Sequence, residues 1–444
     1  MGEALARLTP GPVDVERLLS GAEGHRAVRA LLVGSGRTKV EAMLRTMTAP
    51  RRELRSCRLR SSHFKPGRKL TGIYDARVDG CEDAIPIAVA WSLNGDAPAP
   101  EQLDAAEADL WAAFVPTAFE RLWAIDDAWR MSVLASPLDP TFPALVRLSD
   151  PAVIPELVGR SHDFTVHPVR YRPGERHVLE YRSPRRPGVF AKLYRHGDAN
   201  TIASATTALA DLLSCTPGVR AVRPATVLDA QDTILYDEVI GMPLSSMLGA
   251  SHPTPRRELR QVGEVLRAIH ALESPRGSSF KPRRLDEIRA IHRACKAIAA
   301  LRPDLGARAA TVVERARERL DALEAGPPSL VHGELNADHV LLGPCGITLL
   351  DTDRCALADP ALDLGTLIAD LRWWSWVGSS AQTAPGEAEL LAGYGYASTR
   401  VERARLYAAM LLVKMAARRI PVASRDWGPR TARLLAVAER GLES

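Results

Sequence analysis

The spacing of hydrophobic positions changes several times along the chain, and each change marks an element. Residues 1–50 place Val28, Leu31 and Leu32, then Val40, Met43 and Leu44, at helical intervals, which predicts short helices. From Ser56 the period drops to two. Arg58–Phe64, Leu70–Val78 and Ile85–Ser92 alternate apolar with polar residues, and Lys65-Pro66-Gly67-Arg68 supplies a turn, so a three-stranded antiparallel unit is expected. A helix over 101–125 with the stripe Leu103, Ala106, Leu110 and Phe114 follows, then a strand at Trp129–Ala135. A Pro-rich break precedes a helix at Leu145–Leu157.

The strand pattern then returns as His167–Tyr171, the turn Arg172-Pro173-Gly174-Glu175, Val178–Arg182 and Gly188–Arg195. Phe64-Lys-Pro-Gly-Arg-Lys aligns with Tyr171-Arg-Pro-Gly-Glu-Arg, Tyr74 aligns with Tyr181, and Ala90 falls opposite Lys192. The two stretches read as an internal duplication in which one copy lacks the lysine; the alternative is two unrelated hairpins that share a common turn. A helix at 199–215 and strands at 221–228 and 233–240 complete the second block. Helical periods then cover 257–272, 285–323, 362–376, 387–394, 399–419 and 429–442, with one interruption, the loop-rich stretch 330–365. The fold class expected is α+β: a small antiparallel sheet lobe at 161–240, a mainly helical lobe at 241–444, and an appended α+β domain at 1–160.

Composition narrows the class. With 46% hydrophobic and 25% charged residues among 444, the chain is of ordinary globular type and long enough for two or three domains. A net charge of +5 with dispersed basic residues carries no nucleic-acid footprint, while leaving a modest attraction for anionic ligands such as nucleotides. Six cysteines without a CxxC pair are expected to be reduced, and no apolar run reaches bilayer length, so a cytoplasmic protein without a membrane partner is expected.

The candidate chemistry lies in Val331-His332-Gly333-Glu334, His339 five positions later, and Leu350-Asp351-Thr352-Asp353. Phosphoryl transfer needs a carboxylate near the acceptor hydroxyl, a metal ligand five positions on, and a second metal-binding Asp opening the next turn. Glu334, with His332 beside it, holds the first place. His339, Asp351 and Asp353 are the candidate metal ligands, Asp351 suiting Mg²⁺ better than the softer imidazole of His339 does. Lys192, a lysine in an apolar strand, is placed to hold nucleotide phosphates; its alternative is an edge lysine that deters aggregation. Gly174 lies in the preceding hairpin, at the place of a phosphate cover, but a single glycine cannot form a nest of backbone amides, so a simple turn is the competing role; the strand exit Tyr236-Asp237-Glu238-Val239 offers backbone groups to an adenine edge or is a plain strand-to-helix connection. Asp363 is expected to brace the loop. Trp373, Trp374 and Trp376 belong to an acceptor cleft or to the core.

These motifs resemble the aminoglycoside phosphotransferase and choline kinase-like superfamily, whose pattern runs His-Gly-Asp-Leu-His-x-x-Asn-Val-Leu, then Asp-Phe, then Gly-Asp-Pro-x-x-Asp-Leu-Ala. The similarity covers about residues 160–440. It implies a two-lobed protein-kinase-like fold, ATP and Mg²⁺ as cofactors, and a small-molecule or peptide hydroxyl as acceptor. Glu334 then stands for the catalytic Asp, His339 for the metal-binding Asn and Asn336 for the second His, while Asp351 keeps its place. The first 160 residues resemble a degenerate N-lobe, expected to act as a cap or to dock a partner protein or a second copy. A pseudokinase, with the fold kept and turnover lost, is the alternative reading.

Overall fold

The computed structural model describes residues 14–443, apart from 94–97, 114, 116, 162, 185, 196, 249–253, 273–279, 281–286, 345, 379–382, 396 and 397. Phe114 of the expected stripe, Leu285 and Cys345 lie outside the described residues.

Period-two alternation builds two five-stranded sheets. The first runs Leu54–Lys65, Lys69–Val78, Ile85–Ser92, Met131–Ala135 and Trp123–Asp126 in spatial order, and the second runs Thr165–Arg172, Arg176–Ser183, Arg186–Leu193, Thr233–Asp237 and Thr226–Leu228. All pairings within them are antiparallel. Each sheet is interrupted after its third strand by a helix, Pro100–Ala112 in one and Asp198–Leu213 in the other, and each returns through the edge strand before the inner one. The topologies are therefore identical.

The registers agree as well. Lys65 pairs with Lys69 around Gly67, and Arg172 pairs with Arg176 around Gly174; both glycines have φ near +70°, the left-handed region that the absence of a Cβ makes accessible. Tyr74 and Tyr181 are fully buried, and each donates its hydroxyl to the carbonyl of a leucine in a helix preceding its sheet, Leu32 at 2.8 Å and Leu148 at 3.0 Å. Counting along the paired strands from these tyrosines, Thr71 faces Ala90 where Val178 faces Lys192.

Local signals moved some boundaries. The expected helix 101–125 stops at Ala112, and the strand expected at Trp129–Ala135 is a hairpin of Trp123–Asp126 with Met131–Ala135. The helical stretch 285–323 is two helices, Glu287–Leu301 and Pro303–Ala322, because Pro303 offers no amide and forces Arg302 into extended backbone. Leu145–Leu157 likewise divides into Ala144–Leu148 and Ile154–Val158, on either side of Pro151.

The second sheet has its own core, in which Phe142, Leu145, Leu148 and Ile154 cover Leu179 and Tyr181. A larger continuous core joins the N-terminal helices, the first sheet and the C-terminal helices. Contact between them is close: a Cβ on Gly21 would come within 2.6 Å of the Ala300 carbonyl oxygen, and His25 stacks on Trp427 at 4.9 Å. The N-terminal block thus rests on the helical body and, through Lys65 Nζ to Glu175 Oε1 at 3.0 Å, also touches the hairpin tip of the second sheet.

Within the helical body, Arg256–Ala271 buries Leu259, Val262, Leu266 and Ile269 along one stripe and packs against Thr383–Tyr394. Glycines set the approach, since a Cβ on Gly263 would sit 2.1 Å from the Leu390 carbonyl oxygen. That closeness brings the Tyr394 hydroxyl 2.8 Å from His270 Nδ1. Among the described residues no helix is long and apolar enough to cross a membrane.

Candidate active site

Three segments meet below the second sheet: the loop after strand Ser329–Val331, the hairpin Val340–Gly343 with Gly346–Leu349, and the turn that follows it. Hairpin pairing continues one step outward, the Leu350 amide donating to the His339 carbonyl at 2.9 Å, so Asp351 is delivered beside His339. Their nearest side-chain atoms, His339 Nε2 and Asp351 Oδ2, are 3.6 Å apart. Asp351 has φ +55°, a left-handed conformation that aspartate tolerates better than most residues.

The Asp351 carboxylate points up at the sheet. Lys192 Nζ, nearly buried, lies 2.5 Å from Asp351 Oδ1 and 2.6 Å from Asp353 Oδ2. Arg176 Nη2 reaches the same two oxygens at 3.2 and 3.4 Å, and the Tyr194 hydroxyl donates to Asp353 Oδ2 at 3.1 Å. Burial opposes ionisation of Asp351, but Lys192, Arg176 and His339 together overcome it and hold the carboxyl well below the usual carboxylate range. Neither acid of the helix after the second sheet's third strand, Asp198 or Asp211, forms an ion pair with Lys192, and Asp211 pairs with Arg223. The turn is the lysine's partner instead.

The loop is braced from beneath. Asp363, fully buried, accepts the His332 amide at 2.6 Å with Oδ2 and the Gly333 amide at 2.9 Å with Oδ1. His270 approaches the same carboxylate at 3.4 Å and is held by the Tyr394 hydroxyl at 2.8 Å. Burial penalises the charged form of Asp363, yet its bond to His270, the charges of His270 and His332 and the Gly333 amide lower its pKa overall. Gly333 has φ +81°, and a Cβ there would meet the Arg354 carbonyl oxygen at 2.4 Å, so no other residue fits. Asp370 accepts the Ala337 amide at 2.8 Å and pairs with Arg419, securing the far side.

His332 is buried, with Nε2 2.8 Å from the Leu350 carbonyl. A carbonyl only accepts, so Nε2 carries the proton and Nδ1 receives the Glu334 amide at 3.4 Å. This imidazole therefore ties loop to turn, and burial lowers its pKa. His339 donates from Nδ1 to the Glu334 carbonyl at 3.0 Å, which leaves Nε2 directed at Asp351. Glu334 itself is half-exposed, its carboxylate 3.6 Å from Arg354 Nη1.

The remaining sequence candidates lie around this centre. The Gly174 amide donates to Asp139 Oδ2 at 2.8 Å, and its carbonyl accepts Arg195 Nη1 at 2.6 Å, so both backbone groups are committed. Asp139 and His177 form a buried pair at 2.8 Å beneath the hairpin. The Tyr236 backbone pairs with Phe190 inside the sheet. Glu238 exchanges two bonds with Gly188, its amide donating to the carbonyl at 2.9 Å and its carboxylate accepting the Gly188 amide at 2.7 Å, and Val239 follows half-buried beyond the sheet. Trp373 is buried, packed at a tilt against Trp376 with ring centroids 5.1 Å apart and under Arg419, and belongs to the core.

Arg176, Tyr194, Asp139 and Asp370 were not among the sequence candidates. Arg176 and Tyr194 had a readable signal, since each lies two residues from a position directed at the loop, and strand side chains two apart share a face. Asp139 and Asp370 act across the fold and left no local sign.

Asp351 and Asp353 supply hard oxygen donors and His339 one nitrogen, a set that fits a divalent cation whose other ligands come from phosphate and water. Among the described residues no three His, Cys, Asp or Glu side chains form a ready metal cage.

The profile of the phosphotransferase enzyme family matches residues 181–408, half of the chain. No curated protein matches in a sequence search. Among solved structures, the macrolide 2'-phosphotransferase MphH from Brachybacterium faecium aligns at 18% identity and TM-score 0.40 over 66% of this chain and 97% of its own. The aminoglycoside phosphotransferase APH(3'')-Id from Streptomyces rimosus aligns at 22% and 0.43 over 59% and 97%, and the choline kinase LicA from Streptococcus pneumoniae at 14% and 0.43 over 66% and 98%.

Proposed function

The chain belongs to the phosphotransferase enzyme family, and on that premise we propose that it transfers the γ-phosphate of ATP to a hydroxyl group of a small molecule, with Mg²⁺ as companion cation. The observation that carries this reading is the meeting of Lys192 from the sheet with Asp351 and Asp353 from the turn, at 2.5 and 2.6 Å. A buried lysine and two carboxylates at one point are the groups a metal–triphosphate requires, one for the phosphates and two for the metal. The companion cation, when bound, neutralises charge on the phosphates. Asp351, Asp353 and His339 are the residues that would hold it.

Lys192 binds the phosphates; the Tyr236 backbone and the Glu238 amide are spent on pairing with Phe190 and Gly188, so the backbone at Val239, where the sheet hands over to the helical lobe, is left to serve the adenine. Glu334 orients the acceptor hydroxyl and receives its proton. Its contact with Arg354 is long and solvent-accessible, so the carboxylate is free to swing to an incoming alcohol. His332 and Asp363 keep the loop in place while this happens. ADP should form from ATP only with an acceptor alcohol, the phosphoryl group being recovered as an ester on that alcohol, and both products should vanish in Lys192→Ala and Asp351→Ala. Absence of nucleotide binding at millimolar Mg-ATP would overturn the proposal.

One observation favours a second reading, a nucleotide-binding relic without turnover: Lys192 and Arg176 already neutralise Asp351, while Arg354 faces Glu334. Under that reading Glu334→Asp creates activity absent from the natural chain. Under the first, natural turnover is present and Glu334→Gln removes it.

A further inference from the structure

The second hairpin lacks the means by which a glycine-rich turn usually cradles phosphate. Its single glycine spends its amide on Asp139, and the Glu175 amide closes the turn onto the Arg172 carbonyl at 3.0 Å. Guanidinium groups take up the space instead. Arg170 pairs with Val178, which pairs with Lys192, so these three side chains share one face of the sheet. Arg172 and Arg176 form the next cross-strand pair, two residues along, and lie on that same face.

Arg176 uses Nη2 on Asp351 and Asp353, while its Nε is buried with no partner among the described residues. A buried guanidinium donor left unpaired carries a desolvation cost that a bound anion would remove. Arg170 is exposed, has no hydrogen bond or ion pair among the described residues, and lies within electrostatic reach of Arg172, Arg176, Asp351 and Glu334.

We propose that the nucleotide's triphosphate is gripped by side chains of this hairpin, Arg176 with Arg170 beside it, acting together with Lys192, in place of backbone amides of the turn. This deepens the nucleotide reading given above and rests on it. Arg176 then has two positions of use: bridging Asp351 and Asp353 without ligand, and donating through its planar fork to phosphate oxygens when the triphosphate arrives.

Calorimetric titration with Mg-ATP, with inorganic tripolyphosphate and with adenosine tests the idea on the full chain. Arg176→Gln should weaken both triphosphate ligands at least about tenfold and leave adenosine within about twofold, with Arg176→Lys recovering part of the loss. Arg170→Gln, at an exposed position on the edge strand, should weaken tripolyphosphate severalfold. If the wild type binds Mg-ATP, Lys192→Ala loses it, and both arginine variants stay within about twofold, the clamp is refuted and the nucleotide reading survives. If the wild type binds no Mg-ATP, both fall.

Discussion

Ala90 and Lys192 occupy the same register position in two sheets of identical topology, three residues beyond the partner of a buried tyrosine, Ile87 opposite Tyr74 and Val189 opposite Tyr181. Around Lys192 the fold supplies Asp351, Asp353, Arg176 and Tyr194; Ala90 faces Thr71 and Ser132. Restoring a lysine would not restore a site, because the acids come from a loop that only the second sheet covers. Ala90→Lys is expected to leave nucleotide stoichiometry at one per chain with unchanged affinity. Isothermal titration returning a second equivalent would show the first sheet to be a dormant site.

Asp363 holds two loop amides from a fully buried position. Removing it leaves both donors and His270 without their acceptor. Asp363→Ala should cost about 3–5 kcal/mol of stability and, because His332 and Gly333 lose their anchor and Glu334 follows them on the loop, should also reduce turnover in whatever fraction stays folded. Denaturant melts give the first quantity and initial rates per folded molecule the second; a variant as stable as the parent would contradict the brace.

Burial lowers the pKa of His332, whose Nδ1 accepts an amide and whose Nε2 is spent on a carbonyl. The unfolded chain titrates this imidazole near about 6.5, so it binds a proton there that the folded protein refuses. The stability that follows is fully present above that pH and is lost as pH falls below it. Melting temperature should therefore drop between pH 7.5 and 5.5, and the drop should be smaller in His332→Gln. Equal drops in the two proteins would assign the effect to other histidines.

With Nδ1–H committed to the Glu334 carbonyl, His339 keeps Nε2 toward Asp351, where a bound cation would take the place of its proton. An imidazole at that place suits a softer ion than Mg²⁺. ATP binding is expected to be several times tighter with Mn²⁺ than with Mg²⁺, the margin narrowing in His339→Asn, and both should weaken with a chelator. Indifference of the margin to the substitution would remove His339 from the metal site.

Much of this site was written in local patterns. The duplicated hairpins, Lys192 mid-strand, the Glu334 to His339 spacing and the two aspartates after Leu350 each follow from residue order, because strand alternation and a tight hairpin act over a few residues. Helix boundaries followed less closely: the break at Pro303 is local, yet apolar periodicity ran through it.

What the sequence determined by itself was the kinase-like order of elements, the repeat, and the placing of Lys192, Glu334, His339 and Asp351 along the chain, while Arg176 went unmarked. Tertiary structure alone decided their partners: Lys192 with two turn aspartates instead of an acid on the next helix, Gly174 silenced by Asp139 from 35 residues upstream, and the loop hung from Asp363, His270 and Tyr394. The physical reason is range. Backbone periodicity is set by neighbours, but a carboxylate finds its partner by distance in space, and that distance is fixed only when helices as close as Gly263 and Leu390 have packed.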